Sequence, residues 1–287
     1  MKTIRASKVF DLFNILIMII IILVTAYPVY YVGAVSISDP PSFAQHRGFL
    51  LAPLTPLSTK AYELVFKMPQ ILSGYRNTLF ILVFGILTNM VMTTLGAYFL
   101  SIKGPMHRNL VAFMVIFTMY FSGGMIPSYF NIRSLGLLNS LWALILPSAI
   151  APTNMIILRT AFQGIPDSLT EAAKLDGANC IQILVKIFLP LSKATLAVLA
   201  LYYAVGHWNS WFSASIYLTD SNKFPVQLVM RNLLNLSATS IDDADIAEFI
   251  DQIKYALIVV TTAPIMFVYP FLQKYFTKGV MIGALKG

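Results

Sequence analysis

The chain of 287 residues is too apolar for a water-soluble globular protein, because 57% of its residues are hydrophobic and only 11% are charged. About a quarter of the residues of a soluble domain are charged, since a surface in water must be solvated. The formal charge of +8 does not indicate nucleic-acid binding, which needs basic residues on a hydrated surface. A single cysteine, Cys180, excludes an internal disulfide, and three scattered histidines argue against a metal site. The composition predicts a protein that faces lipid.

Six uncharged stretches are long enough to cross a bilayer as helices. A helix that rises about 1.5 Å per residue needs about 20 residues to cross about 30 Å of hydrocarbon. The predicted spans are 12–38, 77–102, 109–132, 134–158, 194–219 and 255–273. The first span is too long for a signal peptide and lacks a small-residue cleavage site, so we interpret it as retained. The predicted fold class is an all-α membrane protein with six transmembrane helices in a single domain, 1–287.

The basic residues indicate the orientation of these spans. Six spans place both termini on one side, together with 103–108 and 159–193. The cations of that side are Lys2, Arg5, Lys8, Lys103, Arg108, Arg159, Lys174, Lys186, Lys193, Lys274, Lys278 and Lys286, and its anions are Asp11, Asp167, Glu171 and Asp176. The other side has equal numbers of acidic and basic residues. Because basic residues concentrate on the cytoplasmic side, we predict a multi-pass membrane protein with both termini in the cytoplasm.

Three segments outside the spans have their own character. The outer segment 39–76 is expected to be a loop up to Thr59, where a short amphipathic helix begins and lies at the interface. The outer segment 220–254 carries an acidic run from Asp242 to Asp251, for which we predict a helix that leads into the sixth span. The remaining segment, 274–287, is predicted to be a cytoplasmic tail.

The loop between the fourth and fifth spans, 160–190, carries the strongest signal. Ser168 followed three residues later by Glu171 is typical of a capping box, which predicts that a helix begins at Leu169. Gly177 can adopt the left-handed backbone that ends a helix and turns the chain. From Ala178 onward a second helix is predicted to run into the membrane, so 168–177 forms a short helix held outside the bilayer.

These residues resemble the motif of bacterial ABC importer permeases. Glu171-Ala172-Ala173, three residues, Gly177, nine residues and Ile187-Phe188-Leu189-Pro190 match it without a gap. The resemblance extends over nearly the whole chain and is strongest to the smaller permease subunit of maltose-type carbohydrate importers, in the complex-oligosaccharide branch. Segments 139–147, 208–212, 225–231 and 273–287 agree with that branch. An amphipathic loop helix resting on the membrane would explain the helix, but not the spacing of glycine and proline.

The resemblance implies partners and a mechanical role for the loop. Such permeases pair with a second permease, sit on two ATPase subunits and receive an oligosaccharide from an extracellular or periplasmic sugar-binding protein. The ATPase-coupling residues implied here are Ser168, Glu171, Ala172, Ala173, Gly177, Ile187, Leu189 and Pro190. The chain has no Gly-x-x-x-x-Gly-Lys-Ser/Thr segment, so ATP and Mg are expected on the partner subunits, and no catalytic residue, metal or cofactor is expected in this chain.

Neutral polar groups within the spans are candidates for the substrate path, because an unpaired polar group in hydrocarbon costs several kcal/mol, about 2–7. Tyr203, His207 and Trp211 recur at four-residue spacing, which predicts one helical face suited to a sugar ring. The full set of candidates is Asn89, Asn154, Tyr203, His207, Trp208, Asn209 and Trp211. The alternatives are an aromatic belt at the membrane interface for the aromatic residues and bonds between helices for the asparagines and His207.

Two glycine and proline clusters predict irregular backbone or plain kinks: Gly123-Gly124 ahead of Pro127, and Pro147 with Pro152. Cys180 is expected to pack. Two other classes of function compete with an importer permease. A secondary transporter predicts inverted halves or charges at mid-membrane depth, and a membrane-embedded enzyme predicts acidic residues, histidines or cysteines that converge near one membrane face. The sequence has neither feature.

Overall fold

The structure is a computed structural model that describes the main chain of residues 8–104, 106–235 and 248–284, and the side chains of these residues except 8–9 and 268–284. Every regular element in this part of the chain is helical, which confirms the predicted all-α class. In chain order the α-helices are α1 (Lys8–Ser36), α2 (Pro40–Gln45), α3 (Lys60–Lys67), α4 (Pro69–Ser101), α5 (Arg108–Tyr120), α6 (Met125–Ser134), α7 (Trp142–Ile145), α8 (Pro152–Gln163), α9 (Asp167–Leu175), α10 (Cys180–Ile183), α11 (Leu189–Leu191), α12 (Lys193–Trp208), α13 (Trp211–Tyr217), α14 (Val226–Leu234) and α15 (Ile250–Ala284).

Within the described part of the chain, three helices are long and apolar enough to cross a membrane without a break. They are Phe10–Ser36 within α1, Pro69–Ser101, which is α4, and Ile250–Phe267 within α15. Three bent pairs pass the same test of length and composition: Arg108–Tyr120 with Met125–Ser134, Trp142–Ser148 with Pro152–Gln163, and Cys180–Leu191 with Lys193–Trp208. The number of spans reaches the predicted six if each bent pair counts as one.

The predicted spans 109–132 and 134–158 are each a bent pair of helices, and the predicted span 194–219 is interrupted between Trp208 and Trp211. The bend between α5 and α6 is 120°, and the bend between Trp142–Ser148 and Pro152–Gln163 is 49°. The third bend, of 86°, lies between Cys180–Leu191 and Lys193–Trp208, just before the predicted fifth span. Between α5 and α6 the cause is local: Gly124 has φ 86° and ψ 178°, a backbone conformation open essentially to glycine alone. Of the two interpretations of Gly123-Gly124, irregular backbone is therefore the correct one.

The chain divides into two compact units, which are described separately. The first takes its described residues from Met1–Pro69 and Asn232–Pro264. In it, Ala34, Val35 and Leu50 form a small buried core, against which Tyr31 and Tyr255 pack. The predicted amphipathic helix is present as α3, with Ala61 and Val65 buried. The helix predicted around Asp242 lies outside the described residues, and the prediction of one domain stays a prediction.

The expectation that residues 39–58 form a loop is wrong at its start. Asp39 caps α2, since its carboxylate accepts a hydrogen bond from the Ser42 N–H at 3.1 Å, and Pro40 occupies the first helical position. Aspartate as a cap followed by proline is a favoured helix start, because proline has no N–H to leave without a partner there. The Asp-Pro-Pro run is typical of a turn as well as of a helix start, and the loop prediction considered only the turn.

The second unit takes its described residues from Gln70–Arg231 and Ile265–Gly287. One of its apolar clusters surrounds the π-helical turn Leu184–Phe188, which connects α10 with α11. The Phe188 ring packs edge-to-face on Phe162 of α8 at 5.2 Å between ring centroids and on Tyr98 of α4 at 5.0 Å. This cluster ties the end of the 160–190 loop to two spans.

The segment that joins α13 to α14 is held by α4. Asn77 Nδ2 donates to the carbonyl oxygens of Asn222 and Phe224 at 2.7 and 3.1 Å, and Thr78 Oγ1 accepts from the Val226 N–H at 2.9 Å. Gly74 allows this approach, because a Cβ there would lie 3.1 Å from the Val226 Cα. Three positions on one face of α4 therefore fix where α14 begins.

We expect Asn77→Ala to lower the free energy of unfolding in detergent by about 1–3 kcal/mol, because two carbonyl oxygens lose their shared donor. The control is Gln70→Ala, which shortens an exposed side chain on the same helix. The measurement is chemical or thermal unfolding of the purified protein. Equal stability of the two variants would contradict the role of Asn77.

Candidate transport cavity and loop helix

The chain is irregular between Ser148 and Pro152, and this irregular stretch lies in the middle of the second unit. Pro152 has no N–H, so the carbonyl oxygen of Ser148 has no donor four residues ahead. Asn89 of α4 replaces that donor, because its Nδ2 donates to the Ser148 carbonyl oxygen. An amide side chain within a span therefore satisfies a backbone group that the proline leaves without a partner.

A second backbone group of this break is satisfied by Tyr203 of α12. The Tyr203 hydroxyl accepts a hydrogen bond from the Ala151 N–H at 3.2 Å and lies 2.6 Å from Thr93 Oγ1. Since the tyrosine oxygen accepts from Ala151, its own proton is available for the threonine oxygen. Thr93 and Tyr203 are both buried, so this pair holds α4, α12 and the break together.

His207 completes the network. Its Nε2 lies 2.6 Å from Asn89 Oδ1. Because the Asn89 amide nitrogen is used on Ser148, the oxygen must accept, and His207 Nε2 is assigned as the donor. The ring fits only because residue 85 is glycine, where a Cβ would lie 2.5 Å from Nε2. The alternative of bonds between helices is thus the correct one for Asn89 and for this nitrogen of His207.

A cavity of about 460 Å³ lies beside this network. Its residues are Ala143, Leu144, Pro147, Ser148, Ile150, Ala151, Asn154, Tyr202, Tyr203, Gly206, His207, Ser210, Ser213 and Tyr217. The polar side chains among them are hydroxyls, an amide and an imidazole, with no Asp, Glu, Lys or Arg. Irregular backbone at membrane depth is tolerated where it borders a cavity, which is the situation of residues 148–151.

Of the seven predicted path residues, the structure places Asn154, Tyr203 and His207 at this cavity, and Asn89 behind it. The predicted stripe through Tyr203, His207 and Trp211 is wrong, because α12 ends at Trp208 and Trp211 begins α13. At this break the Asn209 N–H and its side chain both donate to the Val205 carbonyl oxygen, at 3.2 and 2.9 Å, and the Ser210 N–H donates to the His207 carbonyl oxygen at 3.3 Å.

The two candidate tryptophans, Trp208 and Trp211, are not among the residues that line the cavity. Trp208 is buried, with no hydrogen-bond acceptor for its indole N–H among the described residues, and this fits packing rather than sugar contact. Trp211 packs against a cluster that includes Ile81 and Leu144. The guanidinium of Arg231 lies over the Trp211 ring, 3.8 Å from its centroid.

Sequence reasoning missed Tyr202, Gly206, Ser210, Ser213 and Tyr217 as cavity residues. A signal was present, because Tyr202 and Gly206 on α12, and Ser213 and Tyr217 on α13, are each four residues apart and so share a helical face. Positions 202, 206, 210, 213 and 217 would also share one face of a single continuous helix, so their spacing alone could have indicated these residues.

The 160–190 loop contains the predicted short helix, with a different start. α9 begins at Asp167, two residues before the predicted position, and Pro166 precedes it. Ser168 makes no capping hydrogen bond, so the predicted capping box is wrong. A capping box forms instead at the next helix, where Asn179 Oδ1 accepts from the Gln182 N–H and Gln182 Oε1 accepts from the Asn179 N–H, both at 2.9 Å.

The predicted turn at Gly177 is confirmed. Gly177 has φ +80°, its N–H donates to the Lys174 carbonyl oxygen at 3.0 Å, and the Ala178 N–H donates to that of Ala173 at 2.9 Å. This pair of bonds is the Schellman end of a helix, in which glycine avoids the Cβ penalty of the left-handed conformation. The second helix of the loop begins at Cys180, and the cysteine is exposed, so the expectation that it packs is wrong.

The motif residues of α9 face in different directions. Ala173 packs against the same cluster as Phe188, together with Ile187 and Leu189, whereas Ala172 is exposed. Leu169 and Leu175 are exposed with it, and Leu175 is 90% accessible. Positions 169, 172 and 175 lie three apart, so they form one exposed face of small and apolar side chains on α9.

An ion pair joins α9 to the segment between α4 and α5. Lys103 Nζ lies 2.7 Å from Asp167 Oδ2, and both side chains are exposed. The hydrogen bond and the charge of Asp167 raise the pKa of Lys103 above its usual value. A pair this exposed contributes little to stability, but it positions the first turn of α9 relative to the end of α4.

Comparisons with known proteins agree with this architecture. Residues 4–282 match the family described as binding-protein-dependent transport system inner membrane component. Protein LplC of Bacillus subtilis is 44% identical over 291 residues, covering 100% of this chain and 98% of LplC. The polygalacturonan/rhamnogalacturonan transport system permease protein YtcP of the same organism is 40% identical over 288 residues, covering 98% of this chain and 99% of YtcP.

A solved structure is also similar along nearly the whole chain. It is a crystal structure of a bacterial ABC transporter involved in the import of the acidic polysaccharide alginate, and one of its chains matches with a TM-score of 0.88 and 33% identity. The match covers 96% of this chain and 99% of that one. Members of the family work with separate subunits that hydrolyse ATP and with a substrate-binding protein, so the alternatives of an enzyme and a secondary transporter are set aside. The chain belongs to the binding-protein-dependent transport system inner membrane components, as the permease subunit of an ABC importer.

Proposed function

We propose that this permease imports an oligosaccharide or a polysaccharide fragment through the cavity beside the 148–152 break. The relatives support the class of substrate, since YtcP is named for polygalacturonan and rhamnogalacturonan and the similar structure for alginate. The cavity supports the path, because about 460 Å³ falls within the range of about 300–1,000 Å³ of small-molecule sites. Its hydroxyls and aromatic rings suit the rim and the faces of a sugar.

The complete importer is proposed to contain a second permease, two ATPase subunits and an extracellular or periplasmic sugar-binding protein. ATP and Mg bind to the ATPases, and this chain holds no cofactor. Both termini and the 160–190 loop lie in the cytoplasm, as the distribution of basic residues favours. The cavity lining carries no ionisable acid or base except His207, which favours external ATP over ion coupling as the source of energy.

The exposed face of α9 is proposed to contact an ATPase subunit. Leu169, Ala172 and Leu175 offer apolar contact with little bulk at the centre, and Glu171 is exposed beside them. The proposed role of Ala173, Ile187 and Leu189 is to support this contact, because they pack α9 and the chain that follows it against the spans. The proposed roles of Ser168 and Pro190 are structural, the former within the first turn of α9 and the latter in α11.

Filling the cavity should block transport without disturbing the ATPases. We expect Ser213→Phe to reduce uptake at least about tenfold in vesicles that contain the reconstituted importer, because a ring would occupy space that the sugar needs. Ser215→Phe on the same helix is the control, since Ser215 is exposed and does not line the cavity. The measurement is uptake of labelled oligosaccharide that depends on the binding protein. Equal uptake by both variants would contradict the path.

Gly177 tests the role of the loop. The space around Gly177 is empty, with no atom within 4 Å of an added Cβ, so a substitution acts through the backbone conformation alone. We expect Gly177→Val to remove most of the ATPase stimulation by the binding protein, whereas Gly177→Asn, which tolerates the left-handed conformation, retains it. The measurement is ATPase activity of the assembled complex. Unchanged stimulation in the valine variant would rule out this role for the turn.

A further inference from the structure

Arg231 and Trp211 form a pair of residues whose capacity for binding is not used within the described structure. The Arg231 side chain is exposed, and its guanidinium lies 3.8 Å from the centroid of the Trp211 ring. Among the described residues, no carboxylate pairs with Arg231 and no acceptor takes its N–H groups. Stacking on an aromatic ring uses the face of a guanidinium and leaves the donors around its edge available.

The outer segments of the second unit carry more cations than anions. In the second unit, the segments that the proposed orientation places outside carry Arg76, Arg133, Lys223 and Arg231 as cations and Asp220 as the single anion. Asp220 accepts a hydrogen bond from the Asn222 N–H at 3.0 Å, and Lys223 Nζ donates to the Asn139 carbonyl oxygen at 2.9 Å. The outer segments of this unit therefore carry a net positive charge, which attracts anions.

The pair is also fixed in place and lies next to the cavity wall. Trp211 packs into an apolar cluster and directly follows Ser210, which lines the cavity. The start of α14, which carries Arg231, is held by Asn77 and Thr78. A guanidinium whose ring partner and helix are both fixed loses little freedom when it binds a ligand.

We propose that Arg231, stacked on Trp211, binds the carboxylate of a uronate unit of the incoming saccharide. The inference rests on the proposed function and adds the chemical class of its substrate. A planar guanidinium can donate two parallel N–H bonds to a carboxylate, and the opposite charges strengthen both bonds. The hydroxyls of a neutral sugar carry no charge that would do so. Trp211 orients the guanidinium, and the neutral lining of the adjacent cavity then receives the sugar ring.

The test compares two probes in vesicles that contain the complete importer with its binding protein: trigalacturonic acid and its trimethyl ester. The ester keeps the ring and the hydroxyls but carries no charge. We expect Arg231→Gln to reduce uptake of the acid about tenfold and to change uptake of the ester less than about twofold. Arg231→Lys should fall between the parent and the glutamine variant, because lysine keeps the charge but not the fork of donors.

Arg76→Gln is the matched control, since it removes the same charge from an exposed position beside Asn77 and should reduce uptake of the acid less than about twofold. If Arg76→Gln reduces uptake of the acid as much as Arg231→Gln does, general electrostatic attraction explains the effect and the inference is overturned. Arg231→Gln could instead reduce uptake of the acid and of the ester equally, and added binding protein could restore both. That result would assign Arg231 to docking of the binding protein and would also overturn the inference.

The two proposals fail in different ways. If the parent importer takes up the ester but not the acid, the carboxylate site is wrong while saccharide import stands. If it takes up neither probe and its ATPase responds to no charged or neutral oligosaccharide, the proposed function itself is wrong.

Discussion

The proline at position 152 imposes the constraint on which the rest of the candidate site depends. A proline within a span leaves a carbonyl oxygen without its helical donor, and in hydrocarbon no water replaces that donor. Side chains from other helices supply the missing partners: Asn89 donates to the Ser148 carbonyl oxygen, and the Tyr203 hydroxyl accepts from the Ala151 N–H. The break can therefore persist at membrane depth, and the cavity lies beside it.

This solution explains why the polar residues of the spans have separate roles. Asn89 and Thr93 form hydrogen bonds that hold helices together, whereas Asn154 lines the cavity and no described residue hydrogen-bonds to its side chain. Tyr203 and His207 do both, because each bonds to α4 and also lines the cavity. A path built in this way is neutral and preorganised, which fits a permease whose energy comes from ATP hydrolysed on other subunits.

The sequence was most informative where one residue determines one local conformation. The turn at Gly177 could be predicted because only glycine readily takes a positive φ there, and the motif that contains it identified the family before any coordinates. The predicted stripe of Tyr203, His207 and Trp211 was wrong, because four-residue spacing places residues on one face only if the helix continues past Trp208. α12 ends at Trp208 and α13 begins at Trp211, and this break is not revealed by the periodicity of the side chains.

Helix starts show the same limit. Ser168 with Glu171 and Asn179 with Gln182 both have the spacing of a capping box, and only the second forms one. The choice depends on where the preceding chain allows a helix to begin, and Pro166 already allows α9 to begin at Asp167. The residue ahead of the helix decides between two local signals of the same kind, so the sequence predicted α9 but not its first residue. Among the cavity residues it predicted Asn154, Tyr203 and His207 and missed Tyr202, Gly206, Ser210, Ser213 and Tyr217.

The most direct measurement of the central claim compares two buried asparagines, Asn89 and Asn154, each changed to leucine. We predict that Asn89→Leu lowers the free energy of unfolding in detergent by about 1–3 kcal/mol, since the Ser148 carbonyl oxygen loses the donor that Asn89 supplies and His207 loses its acceptor. Asn154→Leu should keep the stability of the parent and lose saccharide uptake. If the two variants are equally stable, the break does not depend on Asn89 and the account is wrong.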